Sequence, residues 1–222
     1  MFCVDKWLDI ICTKIKEKFN QRVLFIGFQG SYRRGEESDS SDIDMVVILD
    51  KVDIEDLKKY KEIVSSMDNS DKACGFIGGA QELKSWSSAE VFQLYNDTKA
   101  LYGNLDDIVK KPDKKDAAQA VYIGAQGMYH AACHSFLYSD DLKRSLYELY
   151  KQLFFILQAK YFIESGEYIL SKKELFQKLS GVEKKMLGIC LNRDEIFNFD
   201  AKDVESAYCM LIEFCSQQIR GL

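Results

Sequence analysis

At 222 residues, 47% hydrophobic and 29% charged, the chain has the balance of an ordinary soluble globular protein with one large domain or two modest ones. The formal net charge of -5 argues against a surface that binds nucleic acid as a whole, although a local basic channel stays open. No apolar run approaches the roughly 18 residues that span a bilayer, and Met1 to Ile15 mixes acids and bases where a signal peptide would be apolar. The seven cysteines are widely spaced and form no C-x-x-C pair, so a cytoplasmic protein with reduced, mostly buried thiols is expected.

Val4, Trp7, Leu8, Ile11, Ile15 and Phe19 recur at helical spacing and predict an opening amphipathic helix. Arg22 to Phe28 reads as a buried strand broken at Gln29-Gly30-Ser31, followed by a polar turn or short helix over Tyr32 to Ser41. A second strand begins near Asp42 and runs through Leu49. Asp53 can cap a helix with Ile54, Leu57, Tyr60, Ile63, Val64 and Met67 on one face. Ala73 to Ile77 is a third strand, residues 88–96 a helix, and Lys99 to Tyr102 a small last strand. The only proline, Pro112, lies in a charged segment that marks a boundary between residues 1–111 and 112–222. Beyond it, helices are predicted over Ala117–Leu137, Asp141–Glu164, from Ser171, and over Ala201–Ile219. The outline is a small α/β domain followed by a helical bundle.

The chemistry concentrates in Gly30 to Met45. A strand that stops at Gly30-Ser31 exposes backbone N–H groups and a hydroxyl, and a helical turn after it would favour an anion. Arg34 follows, with a planar fork of donors suited to phosphate oxygens. Asp42 and Asp44 stand two apart at a strand start, so strand alternation puts both carboxylates on one side of the sheet. Two like charges so close call for a cation between them. Magnesium, commonly held by one or two carboxylates together with substrate phosphates, fits. Strand, Gly-Ser, an arginine-bearing connection and D-x-D entering a strand together describe metal-dependent phosphoryl or nucleotidyl transfer.

Gly30-Ser31…Ser41-Asp42-Ile43-Asp44-Met45 resembles the defining motif of the DNA polymerase β-like nucleotidyltransferase superfamily. Its wording is similar to that of the kanamycin nucleotidyltransferase group of antibiotic adenylyltransferases. The resemblance implies an α/β (α+β) domain with a small mixed sheet joined to a C-terminal helical domain. It further implies that Ser31 and Arg34, with Gly30, bind the triphosphate, and that Asp42 and Asp44 ligate Mg2+ as catalytic carboxylates. The reaction implied is transfer of AMP from ATP, or of another NMP from its triphosphate, to a hydroxyl, with release of pyrophosphate. The kanamycin-type relatives also suggest a homodimer.

The sequence departs from that pattern on the next strand, where such enzymes carry a third carboxylate. Lys72 to Gly78 holds no acid, and rough register puts Cys74 at the expected place. A weaker enzyme, a base recruited from elsewhere and lost catalysis all remain open. In kanamycin-type enzymes a glutamate of the helical domain is the general base; Glu148, with Lys151 three residues on, is the candidate here. His130 and His134 are one helical turn apart beside Cys133, but without the glutamate of H-E-x-x-H they read as cleft or bundle residues. The leading function is nucleotidylation of a small hydroxyl-bearing molecule, an antibiotic-like compound among the possibilities. The alternative is a catalytically weakened interaction or toxin–antitoxin-type regulatory module. A nucleic-acid polymerase is disfavoured by size and charge.

Overall fold

The computed structural model describes residues 2–39 and 41–221. The chain divides into two compact units, residues 1–87 with 94–111, and residues 88–93 with 112–222.

The first unit is built on four strands. Helix α1 (Val4–Phe19) buries Trp7, Leu8, Ile11, Ile15 and Phe19, the stripe expected from the sequence. Strand β1 (Val23–Gln29) follows, then the short helix α2 (Gly30–Arg34) and strand β2 (Ile43–Leu49). Helix α3 (Ile54–Ser65) starts at Asp53 with a complete capping box to Asp56. Strand β3 (Ala73–Gly79), helix α4 (Ala80–Lys84), helix α5 (Ser88–Asp97) and strand β4 (Lys99–Tyr102) complete the series. The sheet order is β3-β2-β1-β4, with β1 antiparallel to β2 and β4 while β3 runs parallel to β2. One end of the sheet therefore collects the end of β1 and the starts of β2, β3 and β4. Central β2 is buried from Met45 to Leu49, and its side chains meet those of α1 in one core.

Two expectations need correction. Ile54 and Leu57 are exposed, because Asp56 turns inward to meet Arg22; at about 100° per residue this rotates both outward. Of the seven free cysteines, only Cys12, Cys190 and Cys215 are buried. Cys74 lies on edge strand β3, and Cys209 is exposed on the last helix beside Glu213.

The second unit is helical: α6 (Lys114–Tyr138), α7 (Leu142–Ser165), α8 (Lys172–Lys178), α9 (Gly181–Leu191) and α10 (Ala201–Arg220). Leu146, Leu149, Leu153, Phe154 and Leu157 of α7 lie in its core with Phe92, Ala125 and Leu211. Two buried polar side chains find partners there: Tyr150 donates to the Ala207 carbonyl (3.1 Å) and Gln158 to that of Ile169 (2.6 Å). Helix α9, absent from the sequence reading, adds Met186, Leu187 and Cys190 to this core. Among the described residues no helix is long and apolar enough to cross a membrane.

Candidate functional site

Gly30 closes β1 with φ +77, in the left-handed region that favours glycine. A Cβ there would also collide with the carboxylate of Asp44, so glycine is demanded by both backbone and space. The cause lies in the pairing, since Gln29 stands opposite Asp44 across β1 and β2 and Gly30 follows at once. Between the two strands the chain turns back on itself. Glu36 donates its N–H to the Ser31 carbonyl (3.0 Å), Ser41 donates its N–H to that of Ser38 (2.9 Å), and Lys72 donates to that of Asp39 (2.7 Å). Gly30, Ser31, Arg34, Asp42 and Asp44 thus gather at one end of the sheet.

The electrostatics of this end are uneven. Asp44 is half-buried, and its carboxyl is held above the ordinary carboxylate range by burial first and by the charge of Asp42 next. Arg34 and a hydrogen bond from Cys74 oppose that shift. Cys74 stands directly opposite Asp44 in the parallel pairing of β2 and β3. Burial and the neighbouring carboxylates push its thiol up, which favours the neutral form.

A further carboxylate, absent from the sequence reading, closes the other side. Asp97, the last residue of α5, has a side chain only 5% exposed and pairs with Arg34 Nη1 at 2.9 Å. The same oxygen accepts from the Gly30 N–H at 3.4 Å. Burial drives the Asp97 carboxyl up, and Arg34 and the Gly30 N–H only partly oppose it. Its neighbours join in: Arg33 donates to the Asn96 carbonyl (2.7 Å) and Thr98 Oγ1 to Gln29 Oε1 (3.0 Å).

Against known proteins, residues 8–73 match the family model described as Nucleotidyltransferase domain. That stretch is similar to a nucleotidyltransferase domain. Its fold is also that of the spectinomycin adenyltransferase AAD(9) from Enterococcus faecialis, solved with ATP and spectinomycin. That match has TM-score 0.57 and 12% identity, and covers 95% of this chain and 98% of that one. A toxin–antitoxin solved with AMP-PNP matches at TM-score 0.33 and 22% identity, over 44% of this chain and 74% of that one. No curated protein matches the sequence.

Asp42 and Asp44 are two hard oxygen donors whose mutual repulsion a divalent cation would relieve, so the pair fits Mg2+. Among the described residues no group of three or more His, Cys, Asp or Glu side chains comes together as a metal cage. Phosphates and water would complete the coordination.

Glu148 lies in the helical unit, 44% exposed, and pairs with Arg144 at 3.0 Å; Arg144, one turn back on α7, is its partner in place of Lys151. Together they line a cavity of about 380 Å³ with Ser135, Ser139, Asp141 and Gln152. His130 and His134 are exposed on α6 and do not pack in the bundle; their rings lie 6.0 Å apart and that of Tyr138 lies 5.1 Å beyond.

The sequence does offer a signal for Asp97. Asn96-Asp97-Thr98 follows the apolar residues Phe92 and Leu94 and directly precedes β4, so an acid there is carried to the sheet end where the motif lies.

Proposed function

We propose that this protein transfers a nucleoside monophosphate, AMP from ATP in the first instance, to a hydroxyl group of a small molecule. The observation that carries this reading is Asp44, a half-buried carboxylate beside Asp42 that fits against Gly30 in a nucleotidyltransferase domain. In the reaction, the acceptor oxygen forms a bond to the α-phosphorus, the bond from that phosphorus to the bridging oxygen breaks, and pyrophosphate departs. Ser31 and Arg34 would hold the triphosphate, Arg34 through charge-assisted donors. Asp42 and Asp44 would hold the divalent cation. Bound there, Mg2+ would offset the negative charge that gathers on the phosphoryl oxygens. The hydroxyl proton needs an acceptor, and Glu148 stays the candidate because the residue opposite Asp44 on β3 is Cys74 and not a carboxylate. The small-molecule acceptor is supported by the fold shared with AAD(9).

A second reading rests on Cys74: with a thiol opposite Asp44, the domain would bind nucleotide and serve as a regulatory module without turnover. Calorimetry of ATP and GTP with and without Mg2+, on wild type and on the Asp42→Asn/Asp44→Asn double variant, tests both. Magnesium-dependent binding lost in the variant, with pyrophosphate released when hydroxyl acceptors are supplied, supports transfer. Binding without turnover against a broad acceptor panel favours the module, and no triphosphate binding by folded wild type sinks both.

A further inference from the structure

The segment that clamps the phosphate-binding turn lies outside residues 8–73, which carry the family match, and outside the sequence motif. Asn96, Asp97 and Thr98, between α5 and β4, hold the stretch from Gln29 to Arg34 at four points. The Asn96 carbonyl accepts from Arg33 (2.7 Å), Asp97 accepts from both Arg34 (2.9 Å) and the Gly30 N–H (3.4 Å), and Thr98 donates to Gln29 (3.0 Å). Asp97 is the charged member and the deepest. Its second oxygen, Oδ1, is buried with no hydrogen-bond partner among the described residues, a costly state for an ionised carboxylate. A group needed only to neutralise Arg34 would be cheaper nearer solvent.

We propose that Asp97 is a positioning residue of the nucleotide site, fixing the plane of the Arg34 guanidinium and the Gly30 end of the turn for a triphosphate. The proposal rests on the nucleotidyl-transfer reading above. Arg34 has a side chain only 8% exposed, so its fork is aimed by what surrounds it. Asp97 grips one arm, and Glu36 approaches Nε at 3.5 Å. Removing the grip lets the fork rotate, and a planar bidentate donor loses more by rotation than a point charge does.

Electrostatics alone predicts the opposite sign. Asp97 is a negative charge beside a site for an anion, so a bystander replaced by a neutral group would let ATP bind more tightly. The test is a Mg2+–ATP titration of wild type, Asp97→Asn, Arg34→Lys and the double variant, repeated with inorganic tripolyphosphate. Asp97→Asn is expected to weaken both ligands about tenfold, and Arg34→Lys similarly although it keeps the charge. The double variant should be no weaker than the poorer single, because both changes break one link. Equal or tighter binding by Asp97→Asn, or additive losses in the double variant, overturns the proposal. Should Asp97→Asn fail to fold, Asp97→Glu takes its place, since it keeps the charge and displaces the gripping oxygen: unchanged affinity overturns the proposal and a tenfold loss sustains it. A folded wild type that binds neither ligand overturns the transfer reading and this proposal with it.

Discussion

Strand β1 has an arginine–aspartate pair at each end, and the two pairs are in opposite electrostatic condition. At the entrance, Arg22 donates to both oxygens of Asp56 (2.7 and 2.8 Å), to Asp50 (3.0 Å) and to the Lys51 carbonyl (2.8 Å). Asp56 is 1% exposed, yet its pKa is lowered to about 2 by the Arg22 hydrogen bonds. At the exit, Asp97 and Asp44 are both driven up, each by burial first, although Arg34 lies close to both. The same residue types serve different ends: the entrance is a finished structural staple, while at the exit burial outweighs what Arg34 and Arg33 offer Asp97. Carboxylates kept short of positive charge are what a site awaiting a cation and a cation-bound phosphate should contain.

The largest test of this contrast neutralises the exit. Asp42→Asn/Asp44→Asn should weaken Mg2+–ATP binding by about a hundredfold or more, since the cation loses both protein ligands. Its melting temperature should stay level or rise, because a repulsive pair is removed. Calorimetry and a thermal melt on one preparation measure both, and a marked fall in melting temperature would erase the contrast.

The entrance should answer in the reverse sense. Asp56→Asn leaves Arg22 short of its best partner and breaks the capping box of α3, and it should destabilise the protein by about 2 kcal/mol in urea unfolding. ATP affinity should be unchanged, because Arg22 and Asp56 lie at the other end of β1 from Gly30. Loss of ATP binding in the folded variant would mean that the two ends are coupled.

Acid separates the ends a third way. A carboxylate whose folded pKa lies below its unfolded value of 3.8 stabilises the protein above that pH and stops doing so as pH falls through the folded value. Asp56 should therefore cost stability as pH drops from near 3.8 towards about 2, and Asp56→Asn should flatten that limb. Asp44 is shifted upward, so the folded state binds its proton more tightly than the unfolded chain does. Relative to Asp44→Asn, wild type should gain stability as pH falls through the raised value to 3.8 and lose it again as pH rises. Parallel curves for wild type and Asp44→Asn would remove Asp44 from the account.

What could be read from the sequence was the part carried by local chemistry. Gly30-Ser31 at the end of one strand, Asp42 and Asp44 at the start of the next, and the Asp53 cap of α3 each declare themselves within a few residues. Strand β3 itself was legible as an apolar run closed by Gly78 and Gly79, and its parallel pairing puts Cys74 opposite Asp44. Asp97 showed only as an acid directly before β4, and its meeting with Gly30 needs the antiparallel pairing of β4 with β1. Arg22 and Asp56 are likewise ordinary charges on a strand edge and a helix until the fold joins them. Helix α9 escaped for a different reason. Its lysines sit among the apolar residues, and only Met186, Leu187 and Cys190 are buried, too short a stripe to stand out by periodicity.

The smallest expected effect concerns Cys74, opposite Asp44 on β3. It stands on the neighbouring strand without adding charge. Cys74→Asp would place another carboxylate opposite Asp44 on the neighbouring strand, making the exit more negative still. Without divalent cation the variant should lose about 1 kcal/mol of stability to like-charge repulsion. With Mn2+ it should recover that loss and bind the ion severalfold more tightly than wild type, before any nucleotide is added. Unfolding curves at graded Mn2+, with the ion's electron paramagnetic resonance signal as the binding readout, follow both terms. If the variant is as stable as wild type without the ion and gains no affinity for it, position 74 does not face the metal. The thiol would then be a neutral strand residue, and its place opposite Asp44 would have no bearing on cation binding.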